Sequence, residues 1–384
     1  MKILYHHRVA SKDGQYVHIE EIVTSLRKLG HEVYVLEPKS VSEEQFGSDG
    51  GLVTWMKKHI PGFIYEILEF SYSIYDFFRL YRAYREFRPD GLYERYNLYF
   101  VSGVWLKKLT GIPFLLEVNA PLFQERSKYN SISLKSFAKW SENYVWLNAD
   151  YVLPVTEVLA GYLKKDGVQN SRIEVIPNGV NQHRFANIPD KDEFKNQLGL
   201  QGKTVLGFTG FARKWHGLDR VVEYIASCED INLHFLIVGD GPAIDDLKKS
   251  AQDMGVEDKL TVTGIVDRVN IAKYVSVYDI ALQPDVVDYA SPLKLFEYLE
   301  LGIAVIAPDK DNICEILTDD ESALLFDTEK DEAFIQNLKE LCTDEGKRKK
   351  IAQGGQRLIV GKKLTWDCNA EKIVSLFLSI EMNS

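Results

Sequence analysis

Ser291, Lys294 and Glu297 follow one another at three-residue spacing where a helix is predicted to begin, and together they could hold a phosphorylated nucleoside. Ser291 is a good N-cap, and Pro292 suits the first helical position. The N–H groups and the positive dipole end of a helix start attract phosphate. Lys294 would add a cation, and the Glu297 carboxylate could accept hydrogen bonds from ribose hydroxyls. An ordinary capped surface helix would look the same, so the remaining sequence must decide.

Two further loops in the second half are compatible with phosphate. Thr209-Gly210 follows one predicted strand, and Gly239-Asp240-Gly241 follows the next. Neither is specific alone, because there is no Walker-type GxxxxGK[ST] and no GxGxxG that opens a helix. Arg213 and Lys214 come after the first loop and are either diphosphate ligands or solvated surface cations. His216, close behind them, could hydrogen-bond a phosphate or cap the following helix.

Polar residues also end a predicted strand in the first half. Glu117 and Asn119 lie at the end of the apolar run 113–118, where they would face a ligand cleft or form a turn. Gly14 lies in the loop after the first strand, at the edge where open α/β sheets bind ligands. His18 lies just beyond it and could contact a bound anion, although packing is the simpler expectation.

Alternating strands and helices predict the fold that positions these residues. The class is α/β, and we expect two Rossmann-like parallel-sheet domains that face each other across a cleft. Strands are predicted over 2–5, 32–36, 90–94, 113–118, 151–155, 172–176, 204–208, 233–238, 260–263, 278–282, 303–307 and 323–326. The first domain is predicted over 1–180 and the second over 181–363, with the polar stretch 181–195 as a linker.

Composition excludes several classes of protein. The chain has 384 residues, is 45% apolar and 27% charged, and is long enough for two soluble domains. The net charge of −10 argues against non-specific nucleic-acid binding. Four scattered cysteines are typical of a reduced cytosolic protein rather than of a disulfide or zinc framework. The N-terminal apolar run is too short for a signal peptide, and no run reaches the ~20 residues of a membrane span. We therefore expect a cytoplasmic protein.

No metal site and no hydrolase site is predicted. The two Asp-Lys-Asp stretches, at 190–192 and 309–311, are interpreted as solvated turns. A Ser-His-Asp hydrolase is disfavoured because the GxSxG elbow is missing. We expect neither a metal nor a cofactor.

The segment from Leu52 to Phe87 is aromatic and amphipathic, and Pro61-Gly62 interrupts its helical pattern. Arginines recur every three residues from 79 to 88, in a stripe that drifts round the helix. Such a stripe is either a solvated face over an aromatic core contact or a peripheral contact, through 52–88, with anionic lipid or a lipid-linked acceptor.

Six motifs in order resemble one family, the retaining glycosyltransferases of family 4 (group 1), which have the GT-B fold. They are Gly14 with 18–23, the stretch 30–33, Val175-Ile-Pro-Asn-Gly-Val180, Phe208-Thr-Gly210 with His216-Gly-Leu-Asp219, Ile237-Val-Gly-Asp-Gly-Pro242 and Ser291-Pro-Leu-Lys-Leu-Phe-Glu297. The resemblance covers nearly the whole chain, and the SPLK and WHG spellings match a subset of the family.

The resemblance implies that the second domain holds a nucleotide-sugar donor and the first an acceptor. The last helix, within 364–384, would cross back to complete the first domain. Glu297 would bind the ribose, and backbone N–H groups from Ser291 to Leu293 would meet the phosphate or sugar. The loop that contains Ile265 and Val266 would face the base, uridine rather than guanosine by family habit.

Four positions depart from the family. Its first signature glutamate falls on Tyr289, its phosphate-binding Arg and Lys fall on Phe211 and His216, and its catalytic-face histidine falls on or near Asn119. We infer that Arg213, Lys214 and Lys294 supply the missing charge. The departures leave the sugar-recognition residue and any histidine-assisted step open.

We therefore expect a hexosyl transfer in which the anomeric configuration is retained, to a hydroxyl of a glycan, lipid-linked or small-molecule acceptor, without a protein nucleophile. Candidate catalytic residues are Asn119, Arg213, Lys294 and Glu297. Candidate donor-binding residues are Gly14, Thr209, Gly210, Arg213, Lys214, His216, Gly239, Gly241, Ile265, Val266, Tyr289, Ser291, Pro292, Leu293, Lys294 and Glu297, and the acceptor-side residues are His18, Glu117 and Asn119. The alternatives are a nucleotide-sugar epimerase of the same fold and a non-catalytic nucleotide-sugar-binding subunit.

Overall fold

The computed structural model describes residues 1–9, 14–38, 59–186, 188–228 and 232–382. The chain divides into two units, unit 1 (Met1–Pro177 with Trp366–Ser384) and unit 2 (Asn178–Thr365). The domain boundaries predicted from the sequence were at 180 and 364. Residues 10–13 of the loop before Gly14 and residues 52–58 of the aromatic segment lie outside the described residues.

Unit 1 is built on a parallel sheet with the strand order β2-β1-β3-β4-β5. Its strands are β1 (Lys2–His6), β2 (Glu32–Leu36), β3 (Gly91–Arg95), β4 (Phe114–Val118) and β5 (Tyr151–Pro154). Its helices are α1 (Gly14–Lys28), α2 (Gly62–Phe87), α3 (Ser102–Thr110), α4 (Leu122–Lys128), α5 (Lys135–Asn148) and α6 (Glu157–Lys165), and the C-terminal helix Trp366–Met382 packs on α1.

Unit 2 is built on a second parallel sheet, with the strand order β11-β10-β9-β6-β7-β8. Its strands are β6 (Thr204–Thr209), β7 (Leu233–Val238), β8 (Leu260–Val262), β9 (Ile280–Leu282), β10 (Ala304–Pro308) and β11 (Leu324–Phe326). Its helices are α7 (Gln182–Phe185), α8 (Lys191–Gln197), α9 (Asp219–Ser227), α10 (Ile244–Asp253), α11 (Arg268–Val275), α12 (Leu293–Glu300), α13 (Asp311–Cys314), α14 (Asp331–Thr343) and α15 (Glu345–Gly361). The C-terminal helix of unit 1, Trp366–Met382, is therefore numbered α16.

Both faces of each sheet are covered, which explains why the central strands are continuous apolar runs. In β7, Phe235 and Ile237 belong to one core cluster, and Leu236 and Val238 belong to the cluster on the other face. Such double-sided burial is typical of parallel sheets with helices on both faces. The prediction of two Rossmann-like parallel-sheet domains is confirmed.

One local prediction is inexact and another is wrong. The predicted strand 172–176 runs beside β5, since the N–H groups of Glu174 and Ile176 donate to the carbonyl oxygens of Val152 and Pro154 at 3.1 and 3.0 Å. It forms a single bridge there, between Val152 and Ile173, and is not a full strand. The predicted linker 181–195 contains α7 and most of α8. The side chain of Asp190, which was interpreted as part of a solvated turn, accepts from the N–H groups of Asp192 and Glu193 and so caps α8.

Among the residues that the structure describes, no helix combines the length and the apolar character that crossing a bilayer requires.

Candidate functional site

The loops after β6, β7 and β8 lie against one another at the carboxyl edge of the sheet in unit 2. The N–H of Gly210 donates to the carbonyl oxygen of Val238 at 2.9 Å, and the N–H of Ala212 donates to that of Asp240 at 2.7 Å. Gly239 in turn forms a bridge with Gly264. The structure therefore brings together Thr209, Gly210, Gly239 and Gly241, which the sequence singled out separately.

Glycine is required where these loops meet. Gly239 has a φ of 144° and Gly241 a φ of 147°, conformations that L side chains rarely adopt. A Cβ on Gly239 would lie 2.1 Å from the carbonyl oxygen of Gly210, and one on Gly241 would lie 2.2 Å from that of Ala212. The two loops thus pack backbone against backbone.

Helix α12 begins without a side-chain cap. Pro292 occupies the N-cap position, and the helix starts at Leu293. The prediction that Ser291 caps this helix is wrong, because its hydroxyl accepts a hydrogen bond from the Asn178 N–H at 3.1 Å. The Asn178 amide also donates to the Ser291 carbonyl oxygen at 2.5 Å. The polar start of α12 is therefore tied to the first residues of unit 2, and no side chain caps its first N–H groups, which can serve an anion.

Lys294 lies in the first turn of α12 and points across the end of β6. Its Nζ is 3.9 Å from the centroid of the Phe208 ring, a cation–π contact. Burial lowers the pKa of Lys294 to about 7, and no neighbouring carboxylate offsets that effect. A bound anion would supply the missing negative charge and restore the ammonium form.

Glu297 lines a pocket one turn further along α12. The pocket is bounded by Arg184, Phe185, Arg268, Val269, Ile271, Ala272 and Glu297. Burial lowers the pKa of Arg268, and the Glu297 carboxylate opposes this shift. The sequence analysis missed Arg184 and Arg268. Arg268 could have been found as the first helical residue after the loop of Ile265 and Val266.

Arg213 and Lys214 lie on the surface of unit 2. The Arg213 guanidinium is 5.3 Å from the centroid of the Phe211 ring. Lys214 forms a 2.7 Å ion pair with Asp246, and both side chains are largely exposed. An exposed pair of this kind contributes little and could exchange partners at low cost.

His216 caps the turn that contains it. Its Nδ1 accepts a hydrogen bond from the Arg213 N–H at 3.0 Å. Burial, followed by the positive charge of Lys294, lowers the pKa of His216 to about 3, so the imidazole is neutral. Because Nδ1 accepts, the proton of the neutral ring is on Nε2. The prediction that His216 caps the following helix is wrong, because α9 has Leu218 at its N-cap position and no side-chain cap. A contact between His216 and a phosphate stays a prediction.

The remaining donor-side candidates surround these loops. Ile265 is exposed after the bridged Gly264, whereas Val266 packs on the core. Tyr289 lies in the turn before α12. The next residue, Ala290, accepts a hydrogen bond from the Asn312 amide at 2.7 Å.

In unit 1, Glu117 is the centre of a buried polar cluster at the carboxyl end of β4. Its carboxylate lies 2.9 Å from His18 Nε2 and accepts from Arg95 Nη1 at 2.6 Å and from the Tyr93 hydroxyl at 2.8 Å. Burial opposes ionisation of Glu117, but His18, Arg95 and the hydrogen bonds outweigh it and hold the pKa of the carboxyl well below its usual range. Glu117 is therefore ionised at neutral pH. The sequence analysis missed Arg95 and Tyr93, which come from the neighbouring strand β3.

The same carboxylate orients Asn119. The Asn119 Nδ2 donates to Glu117 Oε1 at 2.5 Å. Because an ionised carboxylate can only accept, this contact fixes which way the amide points and turns Oδ1 away from the cluster. His18 packs edge-on against Trp366 of α16, with ring centroids 4.9 Å apart. His18 therefore packs against another side chain, and the anion that it contacts is the Glu117 carboxylate. Gly14, one turn before it, is the exposed first residue of α1.

No group of three or more His, Cys, Asp or Glu side chains suited to a metal occurs within the described part of the chain.

Two family models match the chain. The model described as glycosyl transferases group 1 matches residues 190–358, and the model described as glycosyltransferase family 4 matches residues 12–184.

The 2-deoxystreptamine glucosyltransferase of Streptomyces kanamyceticus is 26% identical over 195 residues, which is 48% of this chain and 50% of the relative. The chain thus spans about half the length of that relative. The alpha-monoglucosyldiacylglycerol synthase of Streptococcus pneumoniae is 21% identical over 333 residues, 83% of this chain and 73% of the relative. Among solved structures, Anabaena HepE in complex with UDP-glucose superposes with a TM-score of 0.72 at 18% identity, over 99% of this chain and 100% of HepE.

Proposed function

The two family models together match nearly all of the chain, which therefore belongs to the glycosyltransferases of group 1 and family 4, and from this premise we propose a retaining, metal-independent sugar transfer. The donor is a nucleotide sugar, a UDP-sugar in preference to a GDP-sugar. The acceptor is a hydroxyl of a glycan, a lipid-linked or a small-molecule substrate. The reaction takes place in the cytoplasm.

The observation that carries this proposal is the environment of Lys294. A desolvated ammonium is costly unless a negative charge accompanies it, and within the described part of the chain desolvation alone accounts for the lowered pKa of Lys294. It projects from a helix start without a side-chain cap, next to loops that meet backbone to backbone. A diphosphate would satisfy both the ammonium and the helix N–H groups.

In the transfer, these groups would stabilise the charge that develops on the leaving diphosphate as the glycosidic bond breaks. Arg213 and Lys214 would assist once their surface contacts exchange. The acceptor hydroxyl would attack from the face that the diphosphate leaves, and its proton would pass to the departing phosphate oxygen. This path retains the anomeric configuration and uses no protein nucleophile.

Glu297 and its pocket would hold the nucleoside. The Glu297 carboxylate would accept hydrogen bonds from the ribose hydroxyls, and Arg268, which lines the same pocket, would add a positive charge beside it. The loop with Ile265 and Val266 precedes Arg268 and would face the base. HepE, which has the same fold, was solved with UDP-glucose, which supports a uridine donor.

On the acceptor side, Asn119 would offer Oδ1 to a sugar or acceptor hydroxyl, since its Nδ2 is held by Glu117. Glu117 itself would be a positioning group. A carboxylate with so low a pKa is a poor general base, which disfavours the alternative of an epimerase. The pneumococcal relative is named as the synthase of a glucosylated diacylglycerol, which supports a lipid-containing acceptor as one of the three classes.

The test is a thermal-shift panel of UDP- and GDP-sugars on the intact protein, on Glu297→Ala and on Lys294→Met. A ligand at 100 times its Kd should stabilise the protein by about 2.7 kcal/mol. We expect a UDP-sugar to raise the midpoint, and both variants to lose that shift. Lys349→Met, which removes an exposed lysine paired with Glu345, is the matched control and should keep most of it.

Nucleotide release from the same donor, with and without candidate acceptors, separates an enzyme from a silent binder. Slow release of UDP without acceptor indicates an active transferase. A thermal shift without any release would favour the non-catalytic binding subunit, to which the departures at Tyr289 and Asn119 also point. The absence of a shift with every nucleotide sugar would contradict the donor site altogether.

A further inference from the structure

Helix α2 turns its charged side inward and its apolar side outward. From Gly62 to Phe78 its charged side chains are Glu66, Glu69 and Asp76, and all three are buried. The large exposed side chains of the same stretch are all uncharged: Phe63, Ile64, Ile67, Leu68, Ile74, Tyr75 and Phe78. Their spacing places them on one side of the helix. Phe78 is 65% exposed, more than any other of them.

This orientation is fixed by partners on other elements of unit 1. Tyr99 donates its hydroxyl hydrogen to Glu66 at 2.8 Å, both terminal nitrogens of Arg126 donate to Glu69 at 3.0 Å, and His6 Nε2 pairs with Asp76 at 2.9 Å. Turning the helix to bury its apolar side would strip three buried carboxylates of these partners, which is strongly unfavourable. The outward apolar side is therefore a stable feature of the fold.

The same side of α2 becomes basic towards its C-terminal end. Arg82 and Arg85 follow Phe78 by four and seven residues, so they continue its face, and both are exposed. Arg82 forms a 2.8 Å pair with Glu86, but both side chains are more than 60% exposed and the pair is weak. Residues 79–88 contain four arginines and one glutamate, in a chain whose net charge is −10.

We propose that this outward face, from Phe63 to Arg85, binds the surface of a bilayer that contains anionic lipid, with α2 lying parallel to that surface. An apolar stripe several turns long with cations on the same face has the properties of an interfacial helix. The apolar side chains enter the headgroup and acyl boundary, and the ring of Tyr75 suits it because its hydroxyl remains hydrated. Arg82 and Arg85 lie at headgroup level, where anionic lipids attract them. The contact is with lipid alone, so it does not depend on the transfer reaction.

The experiment is co-sedimentation of the intact protein with vesicles of phosphatidylcholine, with and without phosphatidylglycerol. We expect binding to the mixed vesicles that weakens with added salt. Ile67→Ser/Ile74→Ser/Phe78→Ser should lower the partition coefficient at least tenfold. Arg82→Gln/Arg85→Gln should remove the preference for phosphatidylglycerol and leave the weaker binding to phosphatidylcholine.

The matched control is Met254→Ser/Val360→Ser/Leu378→Ser, which removes three exposed apolar side chains from other parts of the chain and should bind as the unaltered protein does. The thermal midpoints of all variants should stay close to that of the unaltered protein, because every substituted side chain is exposed. A serine variant that does not fold would be replaced by Phe78→Ser alone, with at least a threefold loss expected.

Three results would overturn the proposal. The unaltered protein could fail to bind either vesicle. The control could lose as much binding as the α2 variant. Sedimentation velocity could show a dimer that the α2 variant abolishes while vesicles are not bound, which would assign the face to a second copy of the chain.

Discussion

The ammonium nitrogen of Lys294 lies 3.9 Å from the centroid of the Phe208 ring, at the point where the strand β6 ends and the helix α12 begins. The ring provides a favourable surface for the cation but no counter-charge. Burial therefore lowers the pKa of Lys294 to about 7, within the range in which enzymes are assayed.

Donor affinity should consequently depend on pH. A nucleotide sugar binds best to the charged form of Lys294, so affinity should weaken as the pH rises through about 7. With a UDP-sugar, whose diphosphate is fully ionised throughout this range, we expect about tenfold weaker binding at pH ~8 than at pH ~6. Isothermal titration calorimetry measures the Kd of the UDP-sugar at each pH. Lys294→Met should bind more weakly and lose the pH dependence, whereas Lys214→Met should keep it; a flat profile in the unaltered protein contradicts the assignment.

The contact between the loops after β6 and β7 should not tolerate a side chain. Gly239→Ala would place a Cβ 2.1 Å from a backbone oxygen at a φ of 144°, so we expect a destabilisation of more than about 2 kcal/mol and loss of donor binding. Gly161→Ala is the control. Gly161 lies inside α6 with open space where its Cβ would be, and the change should stabilise by about 0.5–1 kcal/mol. Urea unfolding of both variants measures the difference, and equal effects would refute the role of the contact.

Glu117 should be essential to the stability of unit 1. Glu117→Gln leaves the buried Arg95 guanidinium without its counter-charge, so we expect a loss of about 3–5 kcal/mol at pH 7. Because the folded-state pKa of Glu117 is depressed, its contribution is present above its usual value of 4.5 and is lost as the pH falls below it. The variant should therefore lose less stability on acidification than the unaltered protein does. Glu86→Gln, in the exposed pair with Arg82, should change stability by less than about 0.5 kcal/mol in the same urea titrations.

The sequence predicted the two sheets and the carboxyl-edge loops, because parallel strands and glycine turns leave local patterns. It could not predict which side of α2 is buried. Glu66, Glu69 and Asp76 recur at helical spacing like a solvated face, and their partners Tyr99 and Arg126 are distant in the chain. Arg95 and Tyr93 were missed at the Glu117 cluster for the same reason, since only the pairing of β3 with β4 brings them there.

Local competition explains the failure at Ser291. Ser291 has the type and position of an N-cap, yet its hydroxyl accepts from the Asn178 N–H instead. The residue type was interpreted correctly, and the partner of the hydroxyl was set by the tertiary fold. The strand predicted at 172–176 does run beside β5, but it forms only a single bridge, between Val152 and Ile173.

His6 should remain protonated well above neutral pH. It lies between two buried carboxylates, with Nε2 2.9 Å from Asp76 and Nδ1 2.7 Å from Glu94. Burial would lower the pKa of His6, but the carboxylates outweigh it and raise the pKa to about 9. Its stabilising contribution is fully present below 6.5 and is lost as the pH rises through about 9.

Whole-protein stability would hide this loss. Lys294, whose pKa falls from 10.5 to about 7 on folding, destabilises the protein at low pH, and this penalty shrinks as the pH rises over much of the same range. The measurement must therefore be direct. In an NMR titration of histidine-labelled protein, with the resonance assigned by His6→Asn, we expect His6 to stay cationic at pH ~8. His7, buried and shifted in the opposite direction to about 3, should be neutral at the same pH, and a neutral His6 there would show that the carboxylates do not hold its proton.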